Sequence, residues 1–211
     1  MKSRLSRWVD PKGGLLQLVN IVVQAFQYIV TATWYRLLLG YVGSQACIMG
    51  ARFYGRGRSI RIGKGASIRY GTRIEAVGRF AGQEFSPELS IGDYTNIEQN
   101  CHIVCAERIR IGKNVTITAG SSIVDIVHPF YTTEEKIGSA PISTAPVEIG
   151  DGAFLGVNTV VLPGTKVGKR VVIGANSVVQ GELPDYTVWA GNPARCIMRY
   201  SIRDGGRLDD G

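Results

Sequence analysis

The sequence predicts an all-β solenoid of about five coils, preceded by an amphipathic helix. Three observations carry this reading. An aliphatic residue recurs every six positions over much of the chain. Glycine is abundant, at 27 of 211 residues, and charged residues are only 19%, a balance that favours many tight turns over a helical bundle. The period is cleanest from Ile149, where Ile149, Leu155, Val161, Val167, Ile173 and Val179 open six consecutive hexads. Glycine follows directly in four of the six, and a small or β-branched residue stands fifth in five of them. β-Branched residues suit short strands, and glycine or asparagine supplies the backbone conformations of a tight corner. One aliphatic side chain per hexad points inward and stacks on its equivalent a coil away, each such burial contributing roughly 1.5–3 kcal/mol. Such a stack is closed only by neighbouring coils, so its ends need caps.

Residues 1–58 read as a basic N-terminal segment. Residues 1–79 hold 13 Lys/Arg against 2 Asp/Glu, whereas the rest of the chain is net acidic. A basic half implies a polyanionic partner. No nucleic-acid recognition motif is present; an anionic membrane, a phosphorylated substrate and a solvated basic face with no partner are the readings left open. Residues 15–39 are 18 apolar of 25. Gln17, Asn20, Gln24, Gln27 and Thr31 step by three and four, which is one narrow polar stripe on a helix. Pro11 and Gly13 precede the helix, Gly40 stops it, and Lys2, Arg4, Arg7 and Lys12 flank its start. A membrane-spanning helix would bury the polar stripe without partners. An interfacial helix with its wide apolar face in an anionic bilayer fits better, with packing on the solenoid or on a neighbouring subunit as the alternative.

The hexads occupy residues 59–188. They begin at Ile62, Ile68 and Ile74, resume at Ile91, Ile97 and Ile103, slip from Ile109 to Ile111, and run through Ile117 and Ile123. Two breaks read as surface excursions: residues 78–90, polar and glycine-rich, and residues 128–146, with three prolines and an acidic pair. Long loops on a rigid scaffold are where binding chemistry usually sits. Residues 189–211 form the remaining loop and tail. Four cysteines without a signal peptide read as reduced cytosolic thiols. None forms a C-x-x-C pair, and two histidines cannot build a three-histidine site, so no metal is expected.

The hexads, the His128-Pro129 loop, the P-G-T of residues 163–165, the I-G-A-N-S-V-V run from Ile173 and the A-G-N-P-A-R loop of residues 190–195 together resemble the hexapeptide-repeat acyltransferases. The similarity is greatest to the sugar O-acetyltransferases that act on galactosides, maltose and surface polysaccharides, and it covers residues 59–199. The resemblance implies a left-handed parallel β-helix. It also implies a homotrimer with an acyl-CoA groove between adjacent prisms, acetyl-CoA as donor, and a sugar or lipid-linked oligosaccharide as acceptor. The expected location is the cytoplasm, peripheral on the inner face of the membrane.

His128 is the expected catalytic base. Acetyl transfer to a hydroxyl needs its proton removed, imidazole suits this at neutral pH, and such help is worth roughly 10²–10⁴ in rate. Asp125, three residues earlier, is placed to orient the ring. By resemblance Phe154, Gly156, Val157 and Ala175 line the CoA arm, Asn192 and Arg195 lie at its phosphates with Lys166 near, and an oxyanion donor sits close to Gly156. Glu98 and Asn100 fall on the acceptor side, where Ala106 replaces a polar sugar contact and puts a simple galactoside in doubt. His102 lies within a hexad and reads as a coil side chain. N-acetylation of an amino sugar and a non-catalytic scaffold are the competing readings.

Overall fold

The computed structural model describes residues 14–130, 136–201 and 206–208. Three parallel sheets run the length of a prism. The first face stacks Tyr41–Val42, Ile60–Ile62, Glu88–Ile91, Arg108–Ile111, Val147–Ile149, Lys166–Val167 and Glu182–Leu183. The second face begins at Cys47–Ile48 and the third at Arg52–Gly55. Equivalent hexad openers pair across coils, as in Ile62 with Ile91 and Ile117 with Leu155. Along the axis Ile48, Ile68, Ile97, Ile117, Leu155 and Ile173 are wholly buried, so the six-residue period is the apolar core. Among the described residues, six coils contribute a strand to all three faces and Glu182 begins a seventh.

The first of these coils, residues 41–55, lies before the boundary expected at residue 59. Its hexads are present in the sequence as Val42-Gly43 followed by Ile48. The next inward residue, Phe53, comes after five positions, and it still pairs with Ile74. That one-residue shortening hides the coil from a strict period of six.

The corners follow the turn chemistry. Asn100, Asn158 and Asn176 hold positive φ at the corner between the second and third faces, a conformation asparagine tolerates. At the corner between first and second faces Lys64, Asp93, Lys113, Asp151, Lys169 and Asp185 alternate. Each aspartate accepts the backbone N–H of the preceding coil's lysine at 2.7–2.8 Å.

The N-terminal helix Gly14–Val30 continues through a π-helical turn, Thr31–Tyr35, into Arg36–Leu38. It caps the first coil through Thr31 and Tyr35. Thr31 is buried, its hydroxyl oxygen accepts the Ile48 N–H at 2.8 Å, and it donates to the Gln27 carbonyl at 2.7 Å. The Tyr35 hydroxyl donates to the Ala51 carbonyl at 3.2 Å. These bonds occupy strand-edge groups that a bare coil end would leave unpaired. Thr31 thus packs on the solenoid, while Val22, Phe26 and Ile29 turn outward. Lys2, Arg4, Arg7 and Lys12 lie outside the described residues. At the other end Thr187–Gly191 and Ala194–Ser201 form an antiparallel hairpin on the second face, closed over a cis Asn192–Pro193 bond.

Candidate active site

Both excursions leave the same corner, between the third and first faces, two coils apart. The earlier one is a short hairpin of Arg79–Phe80 with Gln83–Glu84. The later one pairs Ile126–Val127 with Ser143–Thr144. The Gln83 amide joins them: its Nε2 donates to the Ile142 carbonyl at 3.1 Å and its Oε1 accepts the Ile142 N–H at 2.7 Å. Beneath this contact Val77, Ala106 and Ile142 are buried, with Phe80, Phe85 and Ile126 packed around them. The loops thus carry their own small core, outside the prism.

His128 stands exposed just past Val127, with Phe80 edge-on to its ring at a centroid distance of 5.9 Å. The hairpin gives the imidazole an apolar wall and leaves its other side open. Residues 131–135 of the following loop lie outside the described residues.

Asp125 takes a different place from the one expected. It is wholly buried, and its carboxylate accepts three backbone N–H groups: Ala106 at 2.8 Å, and Glu107 and Arg108 at 2.9 Å each. Both oxygens are committed to the turn of the coil before. The residue that the sequence pairs with His128 is an anchor for the corner from which the loop departs. The cue was Ala106-Glu107-Arg108, a turn whose N–H groups need an acceptor.

Glu98 pairs with Arg69 at 2.8 Å on the second face. Asn100 is a corner residue in the same series as Asn158 and Asn176, seated beneath Gly71, so its side chain serves the turn as well as facing outward. His102 lies on the third face between Arg73 and Ser122, and its Nε2 is buried without a hydrogen-bond partner among the described residues.

The donor-side residues gather in part. Phe154, Gly156, Val157 and Ala175 share the second face and its adjoining corner, with Phe154 and Val157 both more than 40% exposed. The column beyond the hexad openers changes along the axis from Arg69, Glu98 and Thr118 to Gly156, Gly174 and Ala190. Upper coils therefore carry almost no side chains in this column, with Gly156 buried, Gly174 and Ala190 half-buried, and Phe154 exposed beside them. Coil stacking also demands the glycine: a Cβ on Gly156 would lie 2.5 Å from the Ala175 nitrogen. The Gly156 N–H donates to the Ile173 carbonyl at 2.8 Å, so an oxyanion donor on this coil has to be another group. Asn192 and Arg195 lie exposed on the hairpin that extends the same face.

Lys166 does not join them. It lies on the first face, paired with Glu182 at 3.1 Å, in a shallow groove of about 520 Å³ that also holds Arg110 and Glu148. Lys166 lies twelve residues, two hexads, after Phe154, which carries it past the third face to the first.

Burial pushes the Cys101 thiol up to about 11. Burial and then the nearby Asp125 carboxylate push Cys105 up further. Neither offers a thiolate near neutral pH.

Residues 146–181 match the family model described as bacterial transferase hexapeptide (six repeats). The chain is 35% identical over 150 residues to WbbJ of Escherichia coli strain K12, a protein named for O-acetyl transfer in lipopolysaccharide biosynthesis. The match covers 68% of this chain and 73% of that protein. Among solved structures, a maltose O-acetyltransferase from Clostridium difficile 630 superposes with TM-score 0.58 at 25% identity, covering 86% of this chain and 84% of that one. AntD, an N-acyltransferase from Bacillus cereus in complex with dTDP and 3-hydroxybutyryl-CoA, gives TM-score 0.69 at 19% identity, covering 83% and 90%, which is likeness of fold alone.

Proposed function

The chain belongs to the hexapeptide-repeat acyltransferases, folded as a left-handed parallel β-helix, and within that family of enzymes we propose that it transfers an acetyl group from acetyl-CoA to a sugar hydroxyl. The acceptor belongs to a surface polysaccharide or to its lipid-linked precursor, which would bring the protein to the inner face of the membrane. The observation that carries the reaction is the exposed His128, held against Phe80 at a corner that two interlocked loops rebuild.

His128 accepts the acceptor's hydroxyl proton as the oxygen attacks the thioester carbonyl. The tetrahedral intermediate collapses with cleavage of the carbon–sulfur bond, and the imidazolium returns its proton to the departing thiolate. General-base help of this kind contributes roughly 10²–10⁴ in rate. Buried, weakly acidic Cys101 and Cys105 supply no acyl carrier, which supports direct transfer with both substrates bound. The half-buried strip at Gly174 and Ala190, above the buried Gly156, suits a thin pantetheine arm, with Phe154 and Val157 beside it and Arg195 and Asn192 toward the phosphates. Ala106, expected on the acceptor side, is buried beneath the loops, so the Arg69–Glu98 pair is what supports a sugar other than a simple galactoside.

His128 belongs to the corner between third and first faces, and the glycine strip to the second face. The third face lies between them within one chain. A complete site is therefore expected where one prism's corner meets a neighbour's second face, in a homotrimer.

His128→Ala should lower turnover at least about a hundredfold with CoA affinity retained by calorimetry. Near-normal acetyl transfer in that variant removes His128 from the mechanism. His102→Ala should cost far less.

A further inference from the structure

The N-terminal helix presents a surface that the acetyl-transfer reading does not use. Val19, Val22, Phe26 and Ile29 step by three and four along one side of it. Val22, Phe26, Ile29, Trp34, Leu37 and Leu38 are each more than half exposed. Six large apolar side chains on one short segment reach the few hundred Å² that soluble monomers rarely exceed in a single patch. Thr31, on the opposite side, is the residue that docks on the first coil. A helix held only to fill the coil end would turn its apolar face inward. This one is bound through Thr31 and Tyr35 and offers the apolar face to something else.

The charge around it says to what. Residues 11–74 hold nine Lys/Arg and no Asp or Glu. Arg36, Arg52, Arg58, Arg61 and Lys64 are exposed. None of the ion pairs among the described residues involves them. Arg58 donates to the Leu39 carbonyl at 3.3 Å, and the Arg61 guanidinium lies 5.2 Å over the Tyr41 ring, so both cations sit where the helix ends. A second copy docked on this face would bring like charges together. An anionic lipid headgroup layer over a hydrocarbon boundary matches both properties, with Trp34 and Tyr41 as aromatics suited to that interface.

We propose that this helix is an interfacial membrane anchor: its apolar face lies in the outer acyl region of an anionic bilayer, its cations meet lipid phosphates, and the prism stands with its first coil toward the membrane. Among the described residues no helix is long and apolar enough to cross, so the contact is in-plane. Each Lys or Arg near such a surface contributes about 1 kcal/mol, and the charge part falls with salt while the apolar part does not.

The test is co-sedimentation of the full chain with phosphatidylcholine vesicles and with vesicles mixed with phosphatidylglycerol. The protein should partition onto the mixed vesicles about tenfold or more better than onto the neutral ones. The double variant Phe26→Glu/Trp34→Glu should lose at least about tenfold of that binding. Arg58→Gln/Arg61→Gln, which leaves the apolar face intact, should narrow the preference for anionic lipid. Turnover of a soluble acceptor should be unchanged in both, which separates failure here from failure of the acetyl-transfer reading. Three results overturn the proposal: the unaltered protein stays in the supernatant with both vesicles, Phe26→Glu/Trp34→Glu binds as before, or that variant lowers the assembly mass by light scattering, which would show that another copy covers the face.

Discussion

Asp125 gives the sharpest test of what the structure adds. Its carboxylate is wholly buried and accepts the N–H groups of Ala106, Glu107 and Arg108. Asp125→Ala removes all three acceptors at once. A buried donor left unpaired costs about 1–3 kcal/mol. Ala106 is almost completely buried and takes the full cost, whereas Glu107 and Arg108 are nearer the surface, where water relieves part of it. The expected loss is about 3–5 kcal/mol, a large share of the total for a protein of this size. Asp125→Asn is the finer probe. Its amide oxygen can keep the Glu107 and Arg108 N–H groups while its NH2 faces the Ala106 N–H, and it should lose about 1–3 kcal/mol. Urea unfolding followed by circular dichroism reads these as shifts of the midpoint. Turnover of the folded Asp125→Asn protein should fall by less than about tenfold, below the 10²–10⁴ that loss of the base itself would cost. An unmoved midpoint together with a hundredfold drop in kcat would refute the anchoring role and return the carboxylate to His128.

Three further outcomes are expected. Gly156→Ala, whose Cβ would meet the Ala175 nitrogen at 2.5 Å, should lose about 1–3 kcal/mol in thermal unfolding and weaken CoA binding by calorimetry, while Gly138→Ala, with open space around it, should do neither. Cys101, raised from 9.0 to about 11 in the folded protein, ionises first in the unfolded chain; stability should therefore be full below pH 9 and decline toward pH 11, and Cys101→Ala should flatten that slope in urea titrations. If the site lies between chains, light scattering should give a trimer, and subunits carrying His128→Ala remixed with subunits carrying Gly156→Val should recover activity at about a quarter of the sites; mixtures as inactive as either parent would place the whole site within one chain.

Much of this architecture was legible without coordinates because a solenoid is nearly one-dimensional. A residue six positions on occupies the equivalent place on the next face, so Ile149, Leu155 and Val161 announce their burial by spacing alone. The excursions at residues 78–90 and 128–146 were legible as breaks in that spacing, and His128 as the imidazole at the start of the longer one. The coil at residues 41–55 was missed because Phe53 comes one position early.

What the sequence determined by itself is therefore local and periodic: the hexad core, the corner residues, the place of the loops and the two-sided character of the N-terminal helix. What only the tertiary structure decided is which separated residues meet. It set the two loops on one corner and joined them through Gln83 and Ile142, put Phe80 against His128, and turned Asp125 to the backbone of the coil before. It paired Lys166 with Glu182 and docked Thr31 of the helix on Ile48. The physical reason is that a period fixes burial but not partners. An amphipathic pattern says that two faces differ, and a buried aspartate says that it needs donors. Which surface covers the apolar face, and which N–H groups satisfy the carboxylate, depends on unpaired strand edges and turn amides that exist only once the coils have stacked.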